Sequence, residues 1–428
     1  MKVKVLDAIM GSGKTQRLIG DVAKLTNPVI YITPLLSECH RFAGTVVDEN
    51  GVVVNDELGL PYYDMSHPLS NKRFKHPNNR NKFGSKIESL LQMVRRGDNI
   101  VSTHALFRSL TKEVVNEIIK HEYILIIDEA LTVWERYLID KTGSKIEGNI
   151  DCTRTDKEII SLIESGIIEV DPVGILHWQW DNFPTVVNTH YEETAMLCDN
   201  KQLVMVNGSV VLWEYPIWVL ESFKEIWIAT YRFEGSMFSE YLKIHNVAYS
   251  IDKFGSPPSE YKPLITVLDD AKLNACGEST YALSYSALCI DKHNTHLIDT
   301  LKKNLANFFR HKTKSKKEER LWSTFSQKKG SISGGKYSGC WLSYNTKATN
   351  EYKDAKYIAY MVNVFANTGI LAMLKHRACE FSQEEYALSI MVQFIWRSAI
   401  RDKKPIVVYI PSKRMRNIFL NWLNEESL

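Results

Sequence analysis

Two segments of this chain carry residue types and spacings that could do chemistry. Near the amino terminus, Ala8-Ile9-Met10-Gly11-Ser12-Gly13-Lys14-Thr15 follows an apolar segment and precedes a helical pattern. This is the P-loop arrangement, with Ala8 standing where the first glycine usually falls. Glycines at 11 and 13 let the backbone curl so that successive N–H groups point at phosphate oxygens, and the positive end of a helix opening at Lys14 faces the same anion. Gly11, Ser12, Gly13, Lys14 and Thr15 are therefore the candidate nucleotide-binding residues. Lys14 is expected on the β- and γ-phosphates, and Thr15 on Mg²⁺ through its hydroxyl. The second segment, Ile124-Leu125-Ile126-Ile127-Asp128-Glu129-Ala130, is an apolar strand ending in two carboxylates. Asp128 is placed to hold the metal's water shell, and Glu129 to polarise an attacking water as general base. Alone, such a pair could simply cap a helix. Beside a P-loop it completes a site for hydrolysing a nucleoside triphosphate, with ATP and Mg²⁺ as cofactors.

A third set lies near the carboxyl terminus. Gln393, Arg397 and Arg401 are spaced i, i+4, i+8, which predicts one face of a long helix running from about Gln383 to Ile400. The family resemblance set out below implies their chemistry: guanidinium groups brought to the γ-phosphate by lobe closure would stabilise charge in the transition state. The plainer alternative is a solvated basic helix face.

The elements that must position these residues read as alternating strands and helices. Apolar strands are expected at Val3–Met10, Val29–Pro34, Asn99–Thr103, Tyr123–Ile127, Ile226–Ala229 and Ile406–Ile410, with helical spacing between the earlier ones. Continuous apolar strands separated by helices imply parallel sheets covered on both faces. The fold class expected is α/β, with two parallel-sheet lobes at 1–240 and 241–428. Residues 131–220 break the rhythm and read as an insertion in the first lobe. Inside it, Val204–Trp213 is a β-hairpin turning on Asn207-Gly208.

Further segments make the pattern recognisable. Ile30–Pro34 with the following Leu-Leu-Ser, Val101–Phe107, Trp227–Phe233 and Gln393–Arg401 resemble, in order, motif Ia, the Thr-containing motif just before the DExx strand, motif III and motif VI of superfamily 2 DExx-box helicases. The resemblance is nearest to replication-type helicases of bacteriophages and viral origin-binding helicases. It implies two RecA-like lobes with ATP between them and nucleic acid across both, Thr33 and Thr103 as backbone contacts, and Arg397 as an arginine finger. Departures are visible. The motif II tetrad reads Asp-Glu-Ala-Leu, Arg401 stands one residue beyond the usual second arginine, and Asn345–Tyr352 is the candidate for motif V.

Charge supports a polyanionic partner. Residues 1–240 hold 25 Lys/Arg against 33 Asp/Glu, whereas residues 241–428 hold 28 against 17. Residues 301–350 alone contain 12 Lys/Arg and 2 Asp/Glu. Lys312, Lys314, Lys316 and Lys317, with Trp322, Phe325 and Tyr337 interspersed, are expected to pair with phosphates and offer stacking surfaces on a mobile loop over 311–338. A solvated loop is the alternative. The seven cysteines have no metal-ligand spacing, which fits free thiols in a reducing cytoplasm (the host's, for a phage-encoded chain), and neither a signal peptide nor a membrane span is expected. The function expected is an ATP-dependent helicase or translocase, on DNA before RNA, working with replication or recombination proteins. The rival expectations are a nucleic-acid-stimulated ATPase that remodels or anneals strands, and a nucleotide-switch assembly factor.

Overall fold

The computed structural model describes residues 1–55, 61–77, 84–146, 156–186, 189–291, 293–346 and 351–427. The first lobe is a parallel seven-stranded sheet in the order Tyr249–Lys253, Lys2–Asp7, Glu225–Thr230, Ile124–Asp128, Val29–Thr33, Asn99–Thr103, Phe74–Lys75. Val29–Thr33 and Ile124–Asp128 are buried at every position, as strands covered on both faces must be. The sheet takes in Tyr249–Lys253, so it extends past the boundary expected at 240; backbone pairing with the P-loop strand outweighs the change in charge balance there.

The second lobe is a parallel four-stranded sheet in the order Ile265–Val267, Ile406–Tyr409, Tyr357–Tyr360, Arg320–Ser323. The chain thus folds as two RecA-like α/β lobes with an insertion in the first. Arg320–Ser323 falls inside the stretch expected to be a mobile loop, and this corrects that expectation. Trp322 is fully buried and donates from its indole N–H to the Tyr337 carbonyl at 2.6 Å, while Phe325 and Tyr337 are each 4% exposed. These rings are core rather than stacking surfaces, because burying large aromatic area outweighs the surrounding lysines, which need only keep their own ammonium groups in water.

The insertion builds a separate antiparallel sheet of Trp134–Arg136, Val210–Glu214 and Leu203–Val206. Its hairpin turns on Asn207 and Gly208, both at positive φ, as the sequence predicts. The second half of the chain returns to cover this sheet: Ile370, Met373 and Leu374, from helix Thr368–His376, join the first lobe's core. Arg377 then pairs with the buried Glu214 at 2.8 Å. In exchange, Ile9 and Met10 of the P-loop pack into the second lobe's core. Two interlocked lobes are the result.

Candidate functional site

The P-loop forms as its glycines require. Gly11 and Gly13 have φ of 85° and 88°, a region closed to residues with a β-carbon except at a cost. Helix Lys14–Val22 starts directly after Gly13. Gly11 has a second reason to be glycine, since a β-carbon there would lie 3.1 Å from Arg401 Cγ and 3.2 Å from its carbonyl oxygen. Arg401 therefore sits against the phosphate loop. Lys14 is buried and its ammonium donates to the Ala8 carbonyl. Desolvation lowers its pKa, with Glu129, Asp128 and Asp7 opposing the shift.

Asp128 ends the strand Ile124–Asp128, which Glu225–Thr230 separates from the P-loop strand, and Glu129 follows it; both are 8% exposed. Asp128 Oδ2 accepts from Tyr31 Oη at 2.8 Å and from Thr33 Oγ1 at 3.3 Å. Tyr31 is held for this by stacking on Phe42, with ring centroids 3.7 Å apart. Burial, reinforced by the charge of Glu129, pushes the Asp128 carboxyl up to about 6, and the Tyr31 hydrogen bond works against that rise. Glu129 adopts φ of 65°, unusual for a residue with a long side chain, and its N–H bonds to the Ala229 carbonyl at 2.9 Å. Backbone of this kind persists where the surroundings over-determine it, commonly at active sites.

Thr33 departs from its expected role as a nucleic-acid contact. It is fully buried and its hydroxyl serves Asp128, because the strand end points inward at this position. Thr103 is half-buried and precedes the short helix His104–Phe107. Thr15 is half-buried on the first turn of the P-loop helix, with Asp128 the second candidate magnesium ligand.

The second lobe delivers Arg397, though not from a helix face. The helix spans Gln383–Ile395, ending before Arg397, and Arg401 lies in a separate 3-10 turn, Ala399–Asp402. The single long helix to Ile400 is thereby corrected. Ser398 takes extended backbone and its hydroxyl binds the Ile395 carbonyl at 2.6 Å, which terminates the helix. Gln393 remains half-buried on the last helical turn. Arg397 is 4% exposed, and its Nη2 stands 3.8 Å from Glu129 Oε1. Its Nε and Nη2 have no hydrogen-bond partner among the described residues. A buried cation with two unsatisfied nitrogens is costly unless an anion meets it. The γ-phosphate of a nucleotide on the P-loop would be that anion, so these residues fit ATP and Mg²⁺.

The sequence reading missed Arg232. Its N–H and that of Phe233 bond to the buried Asp7 carboxylate at 2.7 and 2.9 Å. Its guanidinium meets Glu385 at 2.6 Å and Glu425 at 2.8 Å in the second lobe. The P-loop strand is thus tied across the lobe junction, and nothing in the local sequence except its place after Ala229-Thr230 marks this residue.

A groove of about 2110 Å³ lies between the first lobe, the insertion and the second lobe. It is about twice the upper size of an ordinary small-molecule pocket. Thr111, Trp213, Tyr281 and Phe365 are among its lining residues. Lys312, Lys314, Lys316 and Lys317 are exposed but do not line it, and Lys312 pairs with Asp270 at 2.6 Å. The candidate segment Asn345–Tyr352 lies partly outside the described residues; the chain that leaves the strand Tyr357–Tyr360 to line the groove is Asn363–Thr368.

With this geometry, the fold is one of two RecA-like lobes, and known proteins share it. Residues 259–423 match the family described as YonV C-terminal Rossmann-like domain. The chain is 29% identical over 450 residues to the SPbeta prophage-derived uncharacterized protein YonV of Bacillus subtilis (strain 168), covering 99% of both. Among solved structures it resembles "XPD_APO", with TM-score 0.51 and 11% identity over 100% of this chain and 97% of that one. It also resembles "Structure of S. tokodaii Xpd4", with TM-score 0.51 and 12% identity over 98% and 94%. At such identities the likeness is one of fold.

Two results are expected from the geometry around Asp128. An Asp whose folded pKa is raised stabilises the fold only while protonated, so this contribution fades as pH climbs from about 4 through about 6. Metal binding needs the carboxylate, so Mg²⁺-dependent nucleotide affinity should fall below about pH 6, and Asp128→Asn should flatten the profile. Tyr31→Phe removes one donor while keeping the ring stack. It should raise the Mg²⁺ needed for half-maximal tightening of a fluorescent nucleotide several-fold, leaving metal-free affinity unchanged. An unaltered Mg²⁺ requirement would show that Tyr31 does not orient the carboxylate.

Proposed function

We propose that this chain hydrolyses ATP between its lobes and uses the closure to translocate along or unwind nucleic acid, DNA before RNA, in phage replication or recombination. The observation that carries the reading is Arg397, a buried guanidinium from the second lobe whose Nε and Nη2 have no hydrogen-bond partner among the described residues, standing 3.8 Å from Glu129 of the first. Bound Mg²⁺ would neutralise charge on the β- and γ-phosphates. Lys14 and the P-loop N–H groups would bind them, Asp128 and Thr15 would hold the ion, Glu129 would take a proton from the attacking water, and Arg397 would meet the charge that develops.

Because Arg397 and Glu129 belong to different lobes, turnover changes the contact between lobes, which is what a strand lying across both would feel. Two features support nucleic acid as that load: the large groove, and the excess of cations in the second half. Exposed Lys314, Lys316 and Lys317 lie outside the groove and would act as long-range attraction rather than as a track. The prophage origin of the 29%-identical relative supports a phage role.

ATPase rate with and without single-stranded DNA, RNA and duplex tests the reading, followed by strand displacement on tailed duplexes. Strong stimulation by a single strand is expected. A flat response to every polymer would favour a nucleotide switch. Reversing Lys312, Lys314, Lys316 and Lys317 to Glu should raise the polymer concentration for half-stimulation, more so at low salt.

A further inference from the structure

The second-half wall of the groove displays an aromatic ring that the core does not use. Tyr281 is 69% exposed, yet its loop is built to hold it still. Asn363, fully buried, donates from Nδ2 to the carbonyls of Thr280 and Ala282, both at 2.9 Å, so that it grips the backbone on either side of Tyr281. Its own N–H bonds to the Leu283 carbonyl at 2.9 Å. Leu283 is fully buried with φ of 63°, a left-handed backbone that a residue with a β-carbon adopts only under constraint. Phe365 backs the tyrosine, with ring centroids 5.6 Å apart. The Arg414 guanidinium lies 4.3 Å from the centre of Phe365 and is fixed by Asn363 Oδ1 at 2.9 Å, the Val364 carbonyl at 2.8 Å and the Gln383 carbonyl at 3.1 Å. An amide clamp, a strained residue and a cation-backed ring converge on one exposed aromatic. That is the construction of a preorganised binding surface.

Charge around the groove says which way a nucleic acid would face. The lining residues from the second half are all uncharged. The first-lobe side carries exposed Lys112 and Glu113 and half-buried Arg108, whose guanidinium forks onto Glu135 of the insertion at 2.8 and 2.7 Å, while the insertion also contributes Lys145, Glu192, Glu193 and Asp199. Every charge that lines the groove is on the opposite wall, so phosphates would lie there, with Lys112 as an exposed cation, and the bases would face the uncharged aromatic wall.

We infer that Tyr281, backed by Phe365, is a stacking platform for an unpaired base of single-stranded nucleic acid lying in the groove with its phosphates towards the wall that carries Lys112. The inference rests on the nucleic-acid reading above and adds to it the substrate's strandedness and orientation. Stacking needs a free ring face, so a duplex is excluded from this contact, and every base can supply one.

Fluorescence anisotropy with oligothymidylate, oligouridylate and an equal-length oligonucleotide carrying abasic sites tests it, using the full chain. The wild type should bind intact strands about tenfold more tightly than the abasic one. Tyr281→Ala should erase that preference while binding the abasic strand as the wild type does, an arm that a misfolded variant would fail. Tyr281→Trp should restore the preference. Equal binding of intact and abasic strands by the wild type, or a preference that survives in Tyr281→Ala, would overturn the platform and leave the motor reading standing. Wild-type protein that binds no strand, with or without nucleotide, would defeat both.

Discussion

Glu129→Gln should bind ATP nearly as the wild type does and turn it over about 10²–10⁴-fold more slowly. Glutamine is the informative replacement because Glu129 holds a left-handed backbone at φ 65° and a buried site, so a residue of the same shape changes the chemistry without changing the packing. Lys14→Ala should behave differently. Its ammonium is buried where the phosphates would come, so its loss should weaken nucleotide binding as well as turnover. Equilibrium binding of a fluorescent ATP analogue, set beside single-turnover hydrolysis, separates the two. Glu129→Gln protein that still hydrolyses ATP at the parent rate would remove this residue as the base.

Arg397 should show the second large effect. Arg397→Ala is expected to cut turnover about 10³-fold or more, the range of an arginine finger, with nucleotide affinity changed far less. Arg397→Lys should not rescue it. A lysine is a point charge and cannot reproduce a planar fork whose Nε and Nη2 both await an acceptor. Arg401 offers the contrast. It packs on Gly11 through its backbone and aliphatic stem, so its replacement should disturb nucleotide affinity and lobe contact together. Should Arg397→Lys hydrolyse ATP as fast as the parent, the guanidinium is not meeting the transition state and the motor reading loses its main support.

Glu129 and Arg397 face each other across the lobe junction, where Arg232 is also engaged. Its clasp on Glu385 and Glu425 begins at a backbone anchored by Asp7, one residue before the phosphate loop. A change at the phosphates therefore has a short covalent and hydrogen-bonded route to the second lobe.

What could be read from the chain alone was what local chemistry decides. The phosphate loop depends on glycines at 11 and 13 beside a strand and a helix start, all within about ten residues. The carboxylate pair at 128 and 129 ends an apolar run whose burial on both faces follows from its composition. The hairpin at Asn207-Gly208 is a turn that the two residues themselves demand. Tertiary structure decided everything that hinges on distant partners. Trp322, Phe325 and Tyr337 look like stacking surfaces among lysines, but a parallel strand contributed from far along the chain makes them core. Spacing placed Arg397 on a helix face, whereas the Ser398 hydroxyl ends that helix and turns the arginine towards Glu129. Tyr281 resembles any other tyrosine until Asn363, 82 residues later, grips the carbonyls beside it. Turn and loop chemistry is local and therefore legible in sequence; which of many similar rings and cations is buried, paired or left exposed is settled by free energy summed over contacts that sequence distance conceals.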